Sequence, residues 1–143
     1  MSTVREIAAE EDVRALFGLM VQLRPQLRSA DAFVEYWRRQ ADSGYRLVAI
    51  HEGATAQAMA SYRLQENLVH GRFLYVEDLV TDAGARGRGH GERLMAWLRE
   101  QARSSGCARL VLDTGLDNVL AHRFYYRCGL LAGALRFNAP VAG

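Results

Sequence analysis

The sequence contains no lysine, and all 18 basic residues of the 143-residue chain are arginines. This absence excludes a Schiff-base lysine, any other catalytic lysine and the lysine of a P-loop. Cysteine is almost as scarce, because Cys107 and Cys128 are the only two and neither has a spacing that binds metal. We therefore expect free thiols in a reducing compartment and no metal centre.

Long apolar runs are also missing, since no stretch approaches the roughly 20 residues that a membrane-spanning helix needs. The N-terminus has no apolar signal core, so we expect a cytoplasmic protein that does not interact with membranes. The formal net charge is only +2, which gives little overall attraction for nucleic acid. The length fits a single domain that spans residues 1–143.

What is present is a series of helix and strand patterns. Apolar residues at helical spacing from Val13 to Leu23 predict a first helix, with the acidic residues 10–12 at its N-terminus. A second helix is predicted from Phe33 to Ala41, opened by Ser29 or Asp31. Apolar or alternating segments predict strands at 3–8, 47–50, 56–64, 73–82 and 110–112, with a final strand at 130–137. This order predicts an α/β layered domain with a mixed sheet.

The most informative segment is a glycine-rich stretch between the fourth strand and a helix predicted for residues 92–104. Gly87, Gly89 and Gly91 alternate there with Arg88 and His90. A helix N-terminus carries unpaired N–H groups and partial positive charge, and glycine lets the backbone approach a ligand closely. The arginines add charge-assisted donors. The segment therefore predicts a site for a phosphate or pyrophosphate group.

Two common phosphate motifs do not fit this segment. The Rossmann pattern needs a third glycine where Glu92 stands, and the P-loop needs a lysine. A plain flexible connector is a further alternative, but it leaves Arg86 and Arg88, and the helix that follows at once, unexplained. A pyrophosphate ligand of another class is the interpretation that remains.

Three motifs in the same order resemble the GNAT acetyltransferase superfamily. The loop Arg86-Gly-Arg-Gly89-His-Gly91 is similar to its Arg/Gln-x-x-Gly-x-Gly/Ala signature. The preceding segment, Tyr75-Val-Glu-Asp-Leu-Val-Thr81, resembles its Glu-Asp-Leu-x-Val strand. A later segment resembles its Asn-x-x-Ala-x-x-Phe-Tyr-x-x-x-Gly helix at Asn118, Ala121, Phe124, Tyr125 and Gly129. The resemblance covers about residues 75–130.

The resemblance implies a GNAT-like fold, with a mixed and mostly antiparallel sheet, splayed central strands and helices on both faces. It implies acetyl-CoA as cosubstrate, with the pantetheine arm between the splayed strands and the diphosphate on the loop. The cofactor-binding positions that it implies are Leu79, Val80, Thr81, Arg86, Gly87, Arg88, Gly89, His90, Gly91, Glu92, Asn118, Ala121 and Phe124. The resemblance also allows for a homodimer.

The implied activity is acetyl transfer to a primary amine of a small molecule, polyamine-like or amino-acid-like, or of a protein. The Glu-Asp pair of the strand looks most like the diamine and polyamine acetyltransferase branch. An alkylamine has a pKa of about 10.4, so a proton must leave before the nitrogen can attack. Glu77 is the candidate base, and the alternative is that it only attracts the ammonium group.

Other candidate residues follow from the same resemblance. Tyr125 is the candidate donor to the leaving thiolate, and the alternative is a core tyrosine. Asp78 is a candidate second substrate contact or a structural partner, and it is expected to point away from Glu77 if the strand is regular. Asp113 is a candidate contact that helps to select a cationic substrate. A backbone N–H at a bulge near Leu79 is expected to stabilise the oxyanion.

Two other classes of function stay open at this point. An acyl-CoA sensor would keep the fold without turnover, and an acetyl-transfer assay separates it from an enzyme. A loop that contacts nucleic acid would bind with a steep salt dependence, but no basic stripe supports it. Arg38 and Arg39 are interpreted as part of a solvated helix face. The expected partners are thus acetyl-CoA and an amine, without nucleic acid.

Overall fold

One five-stranded sheet with the order β1-β2-β3-β4-β5 organises a computed structural model that describes residues 1–142. The strands are β1 (Ser2–Ile7), β2 (Arg46–Glu52), β3 (Thr55–Asn67), β4 (Gly71–Thr81) and β5 (Arg109–Leu112). The helices are α1 (Glu10–Ala15), α2 (Phe17–Leu23), α3 (Ala30–Ala41), α4 (His90–Ser104) and α5 (Val119–Arg127), with a 3-10 turn at Ala83–Ala85. No helix within residues 1–142 combines the length and hydropathy needed to cross a bilayer.

The sheet opens beside β4. Strands β1 to β4 pair antiparallel, whereas β4 and β5 are parallel because α4 carries the chain back between them. The parallel pairing joins residues 73–76 to residues 109–112 and then ends. Residues 77–81 of β4 keep β3 on one side and, in the described part of the chain, have no strand on the other. The mostly antiparallel sheet with splayed strands is thus confirmed.

Helices cover both faces of the sheet. The helices α1, α2 and α3 form one buried cluster with the sheet, whose members include Val13, Leu16, Met20, Phe33, Leu47, Ala49 and Met59. On the other face α4 buries Leu94 and Leu98, and its Trp97 ring lies edge-on to Tyr62 at 5.8 Å between centroids. Because successive strand residues point to opposite faces, β2 needs apolar side chains on both, and residues 47–50 are all buried.

Two details of the first helices differ from the prediction or sharpen it. The single helix predicted for residues 13–23 is divided at Leu16, which ends α1 and precedes α2. Ser29, rather than Asp31, caps α3, since its Oγ accepts a hydrogen bond from the Ala32 N–H at 3.1 Å. The cap fixes where α3 begins and therefore which of its residues face the sheet.

A β-bulge interrupts the pairing of β3 and β4 at Glu77. Ser61 pairs with Asp78 and Tyr62 pairs with Val76, so Glu77 is the extra residue of β4. The expectation that Asp78 points away from Glu77 is therefore wrong, because both side chains line one cleft. A bulge is expected near Leu79, and it lies two residues before it, at Glu77, while Leu79 itself pairs with Ala60.

The chain divides into two compact units, Met1–Leu112 and Asp113–Gly143. The second unit contains α5, and residues 130–142 after it form no helix or strand. The final strand predicted at 130–137 is therefore wrong: no strand of residues 1–142 pairs with this segment, and a strand needs such a neighbour. The assignment of residues 1–143 to a single domain stays a prediction.

Candidate functional site

The glycine-rich loop joins β4 to α4 within the first unit. Gly87 and Gly89 have φ angles of +80° and +79°, in the left-handed region that other residues rarely adopt. A Cβ atom at either position would meet nothing within 4 Å. The backbone conformation therefore requires glycine here, while the space around the loop is open to a ligand.

The N-terminus of α4 has no cap of its own. Gly89 is the N-cap residue, and having no side chain it makes no side-chain cap hydrogen bond in the described part of the chain. Among the described residues, the N–H groups of residues 87–91 find no acceptor, and the first helical bond runs from the Arg93 N–H to the Gly89 carbonyl at 3.1 Å. Uncapped N–H groups and the helix dipole together form an anion site. The loop therefore fits the diphosphate of a nucleotide.

Two arginines add positive charge to this loop. Arg86 and Arg88 are exposed, and within residues 1–142 the only carboxylate paired with Arg88 is that of Glu52, at a distance of 4.0 Å. An exposed pair at this distance contributes little, so both guanidinium groups remain available to an anion. Asp82, in the turn before them, accepts hydrogen bonds from Gln22 and from the Gly84 N–H, which lower the pKa of Asp82.

His90 is buried although it belongs to the loop. Its exposed fraction is 6%, and neither ring nitrogen has a hydrogen-bond partner within residues 1–142. The ring therefore packs inside the unit, while the backbone of His90 lies at the uncapped end of α4. This arrangement agrees with a role for the main chain of His90 rather than for its imidazole.

The open edge of β4 offers a second surface for an extended ligand. Leu79, Val80 and Thr81 pair with β3 on one side only, so their outward main-chain groups have no strand partner in the described chain. Val80 points its side chain into the buried cluster under α1 to α3. An extended chain of amides can add to such an edge as a further strand. The edge therefore fits the pantetheine arm.

A cleft of about 590 Å³ opens beside the bulge, within the usual size range of small-molecule sites. Its walls come from the end of α2, from the loop between α2 and α3, from α3, from the residue before β2 and from β4. The charged side chains that line it are Arg24, Arg28, Arg39, Glu77 and Asp78. The cleft is therefore polar as well as large enough for a small acceptor.

Both carboxylates of the cleft have arginine partners. Arg63 Nε donates to Glu77 Oε1 at 2.7 Å, and Arg24 Nη2 lies 2.6 Å from Asp78 Oδ1. Ser61 Oγ donates to Asp78 Oδ2 at 2.6 Å. Burial lowers the pKa of Arg63, but the hydrogen bond and charge of Glu77 outweigh this effect and raise it overall. The two negative charges are therefore offset within the protein.

Glu77 nevertheless keeps one oxygen available. Its Oε2 atom accepts from no donor in the described chain, and 23% of the side chain is exposed. Arg63 is held from several sides, because Gln40 Oε1 accepts from its Nη2 at 2.6 Å and its Cζ lies 5.4 Å from the Tyr45 ring centroid. The Glu77 carboxylate is thus fixed on one side and can accept a proton on the other.

The remaining predicted residues belong to the second unit, on or next to α5. Asn118 caps α5, since its Oδ1 accepts from the Ala121 N–H at 3.3 Å. Burial raises the pKa of Tyr125, which keeps its hydroxyl protonated at neutral pH. The ring of Phe124 lies edge-on to that of Tyr125, with 5.4 Å between centroids. The structure therefore brings these four residues together in one helix.

Asp113 is engaged within the same unit. Its Oδ2 lies 2.7 Å from Arg136 Nη2, in a partly exposed ion pair. The role predicted for Asp113 in substrate binding stays a prediction. Among residues 1–142, no three His, Cys, Asp or Glu side chains gather as they would around a metal ion.

The arginine side of the cleft is not predicted by the sequence patterns. Arg39 is exposed, as expected for a solvated helix face, but it also lines the cleft, with its Cζ 6.0 Å from the Tyr36 ring centroid. Arg38 instead pairs with Glu10. The signal was the spacing of Ala32, Tyr36 and Arg39, which puts all three on one face of α3.

Comparisons with known proteins agree with this geometry. The sequence pattern of the acetyltransferase (GNAT) family matches residues 5–130. The chain is 32% identical over 138 residues to glucosamine 6-phosphate N-acetyltransferase 1 of Oryza sativa subsp. japonica, covering 90% of this chain and 80% of that protein. It is 30% identical over 138 residues to aminoalkylphosphonate N-acetyltransferase of Salmonella typhimurium, covering 94% of this chain and 88% of that protein.

A solved structure shares the fold. An aminoglycoside N-acetyltransferase in complex with CoA superposes with a TM-score of 0.86 at 17% identity, covering 99% of this chain and 96% of that chain. At this identity the likeness concerns the fold alone. It confirms the fold predicted from the three motifs.

Proposed function

This chain belongs to the acetyltransferase (GNAT) family, and from that premise we propose that it acetylates the primary amine of a small molecule or of a protein. Membership makes it an acyltransferase with acetyl-CoA as cosubstrate. Two relatives are named for a phosphorylated amino sugar and for an aminoalkylphosphonate. Neither name refers to a diamine or a polyamine, so these relatives give no specific support to membership of the diamine and polyamine acetyltransferase branch.

The observation that carries the proposal is the uncapped start of α4. The N–H groups of residues 87–91 have no acceptor in the described chain, and Arg86 and Arg88 flank them. A diphosphate supplies the acceptors that these donors lack. We assign the diphosphate of acetyl-CoA to the main chain from Gly87 to Glu92.

The pantetheine arm is assigned to the open edge of β4. Main-chain groups of Leu79 to Thr81 pair with the amides of the arm as a neighbouring strand would. Asn118, Ala121 and Phe124, in the second unit, stay predicted cofactor-binding residues. The cosubstrate would thus be held mainly by main-chain hydrogen bonds, which fix the position of its thioester.

Glu77 is proposed as the general base. Its Oε2 atom takes a proton from the acceptor ammonium, directly or through a water, and the nitrogen then attacks the thioester carbonyl carbon. The C–N bond forms and the C–S bond breaks. The alternative role for this carboxylate is to attract the ammonium group, although Arg63 already offsets part of its charge. A main-chain N–H of the open edge near Leu79 is the proposed donor to the carbonyl oxygen.

Tyr125 is proposed to stabilise the leaving sulfur. A thiolate of this kind has a conjugate-acid pKa of about 8.5, against about 10 for a tyrosine hydroxyl. Burial raises the pKa of Tyr125 further, so complete proton transfer to the sulfur is uphill. Donation of a hydrogen bond to the developing thiolate is therefore its main role, and the departing sulfur takes up the second proton that the attacking nitrogen loses as the amide forms.

An acetyl-transfer assay tests the proposal. Purified protein with acetyl-CoA is screened against ethanolamine, putrescine, lysine, glucosamine 6-phosphate and 2-aminoethylphosphonate, and free thiol release is followed. We expect release that depends on at least one amine and is accompanied by an N-acetyl product. CoA binding without any acetyl transfer would favour the acyl-CoA sensor, an alternative that relatives named as N-acetyltransferases do not favour.

A further inference from the structure

The charges that line the cleft beside the bulge are unequal. Three arginines and two carboxylates line it. Arg63 holds Glu77 and Arg24 holds Asp78, in each case at hydrogen-bond distance. Because opposite charges at this distance largely cancel for a third charge farther away, neither carboxylate offers its full charge to an incoming cation. The cleft therefore has an excess of positive charge.

The excess resides on Arg28 and Arg39. Both are exposed, both line the cleft, and neither has a carboxylate partner among residues 1–142. Arg39 lies against an aromatic ring, since its Cζ is 6.0 Å from the Tyr36 ring centroid. Such contact restricts the guanidinium group and lowers the entropy lost when it binds an anion.

Tyr36 connects Arg39 with the proposed base. The Tyr36 side chain lines the same cleft as Glu77. Burial raises the pKa of Tyr36, and the negative charge of Glu77 raises it further, so the two groups are close enough to interact. Arg39 borders the Tyr36 ring, and Arg39 and Glu77 line the same cleft of about 590 Å³, so one small molecule in the cleft can contact both.

We propose that the acceptor is a small zwitterion, a primary amine joined by a short linker to a phosphate, phosphonate or carboxylate group. Arg39 binds the oxyanion, because a guanidinium group can donate two parallel hydrogen bonds to it, and the amine then faces Glu77. Arg28 adds a second positive charge at the cleft. This inference rests on the proposed function and narrows its substrate class.

The same charges disfavour a diamine or polyamine. Its second ammonium group would lie in a cleft whose carboxylates are already paired and whose remaining charges are positive. Like charges brought together in a cleft select against a ligand even where its shape fits. The polyamine-like acceptor suggested by the Glu-Asp motif is thus the opposite prediction, and one experiment separates the two.

The experiment compares acceptors that share a two-carbon amine. Thiol release is measured with ethanolamine, phosphoethanolamine, 2-aminoethylphosphonate and β-alanine, and with putrescine as the dication. We expect kcat/KM for at least one anionic acceptor to exceed that of ethanolamine and that of putrescine by about tenfold or more, the equivalent of one charge-assisted hydrogen bond. Equal or better turnover of ethanolamine or putrescine would overturn the inference.

Single substitutions test whether Arg39 is the residue that binds the oxyanion of the acceptor. Arg39→Gln should raise KM for the preferred anionic acceptor by about tenfold, with little change in kcat and no change in KM for ethanolamine. Arg38→Gln is the matched control, because Arg38 is the adjacent exposed arginine of α3 but pairs with Glu10 outside the cleft. Arg28→Gln should have a smaller effect than Arg39→Gln. An unchanged KM in Arg39→Gln contradicts the assignment.

Failure of the inference and failure of the proposed function give different results. Acetyl transfer without any preference for an anion contradicts only the inference. If no amine is acetylated, the proposed function fails, and calorimetry of phosphoethanolamine with the CoA-saturated protein still decides the inference. Saturable binding that Arg39→Gln weakens would support it, and absence of binding would contradict it.

Discussion

The cofactor loop and the acceptor cleft are built from the sequence in different ways. The loop uses consecutive residues, 86–92, and mainly their main-chain groups. The cleft combines side chains from distant segments, such as Arg24 and Asp78, which are 54 positions apart in the chain. Main-chain recognition depends on glycine and helix geometry, whereas side-chain recognition depends on charge and can differ between related proteins. We therefore expect cosubstrate binding and acceptor choice to respond to different substitutions.

The largest expected effect concerns the cleft carboxylate that is proposed as the base. Glu77→Gln should lower kcat by roughly a hundredfold or more, since general bases contribute about that much, while CoA affinity stays within about twofold. Steady-state kinetics and calorimetry measure the two quantities. Asp78→Asn, on the adjacent residue, should reduce kcat far less. A fall in CoA affinity that matches the fall in kcat would contradict the separation of the two regions.

The second-largest expected effect is a loss of cosubstrate affinity without a change in the acceptor cleft. Gly89→Ala adds a Cβ where the backbone is left-handed, displacing amides of the loop, and should weaken CoA binding by about tenfold or more. The control is Gly53→Ala, because Gly53 also has a positive φ, of +63°, and open space around it, but lies in the β2–β3 turn. The account is contradicted if both variants bind CoA equally well.

Tyr125→Phe should have a moderate effect on the chemical step. Loss of one hydrogen bond to the leaving sulfur lowers kcat by about tenfold without changing CoA affinity. Since burial raises the pKa of Tyr125, the hydroxyl is protonated at neutral pH and loses its proton only in strongly basic solution, where the wild-type kcat should fall. The variant should lack that basic limb in its pH profile. Tyr126→Phe, at the exposed neighbour, should behave as wild type.

The smallest effect should come from the cap of α3, which forms a wall of the cleft. Ser29→Ala removes the hydrogen bond to the Ala32 N–H and should cost about 1 kcal/mol of unfolding free energy. Thermal denaturation measures this loss, and acceptor KM should rise slightly while CoA affinity is unchanged. Ser104→Ala is the control, because Ser104 lies in the last turn of α4 and caps no helix N-terminus. Equal stability of Ser29→Ala and wild type would contradict the stabilising role assigned to the Ser29 cap.

The difference between the two regions also explains what could be predicted. Local sequence patterns predicted most of the helices and strands. The apolar segment at 47–50 lies in a strand buried on both faces, and Ser29 caps α3. The glycine loop was recognisable because its chemistry belongs to consecutive residues. The family and the cosubstrate could be predicted from that loop together with the motifs on either side of it.

Features that depend on pairing between segments were not predictable. The bulge at Glu77 arises from the register between β3 and β4. Because of the bulge, Asp78 does not have the orientation expected in a regular strand. A strand at 130–137 was expected from its local pattern, but strand formation needs a neighbour that the described chain does not supply. The cleft role of Arg39 depends on which face of α3 meets the sheet, and adjacent arginines have different surroundings.

The central claim is that the uncapped amides at the start of α4 hold the diphosphate of the cosubstrate. Calorimetric titration of the protein with CoA and with pantetheine, which shares the arm but lacks the diphosphate, tests it most directly. We predict saturable binding of CoA that is stronger than that of pantetheine by about a hundredfold, as expected for two charge-assisted hydrogen bonds. Equal affinities for the two compounds, or no binding of CoA at all, would contradict the claim.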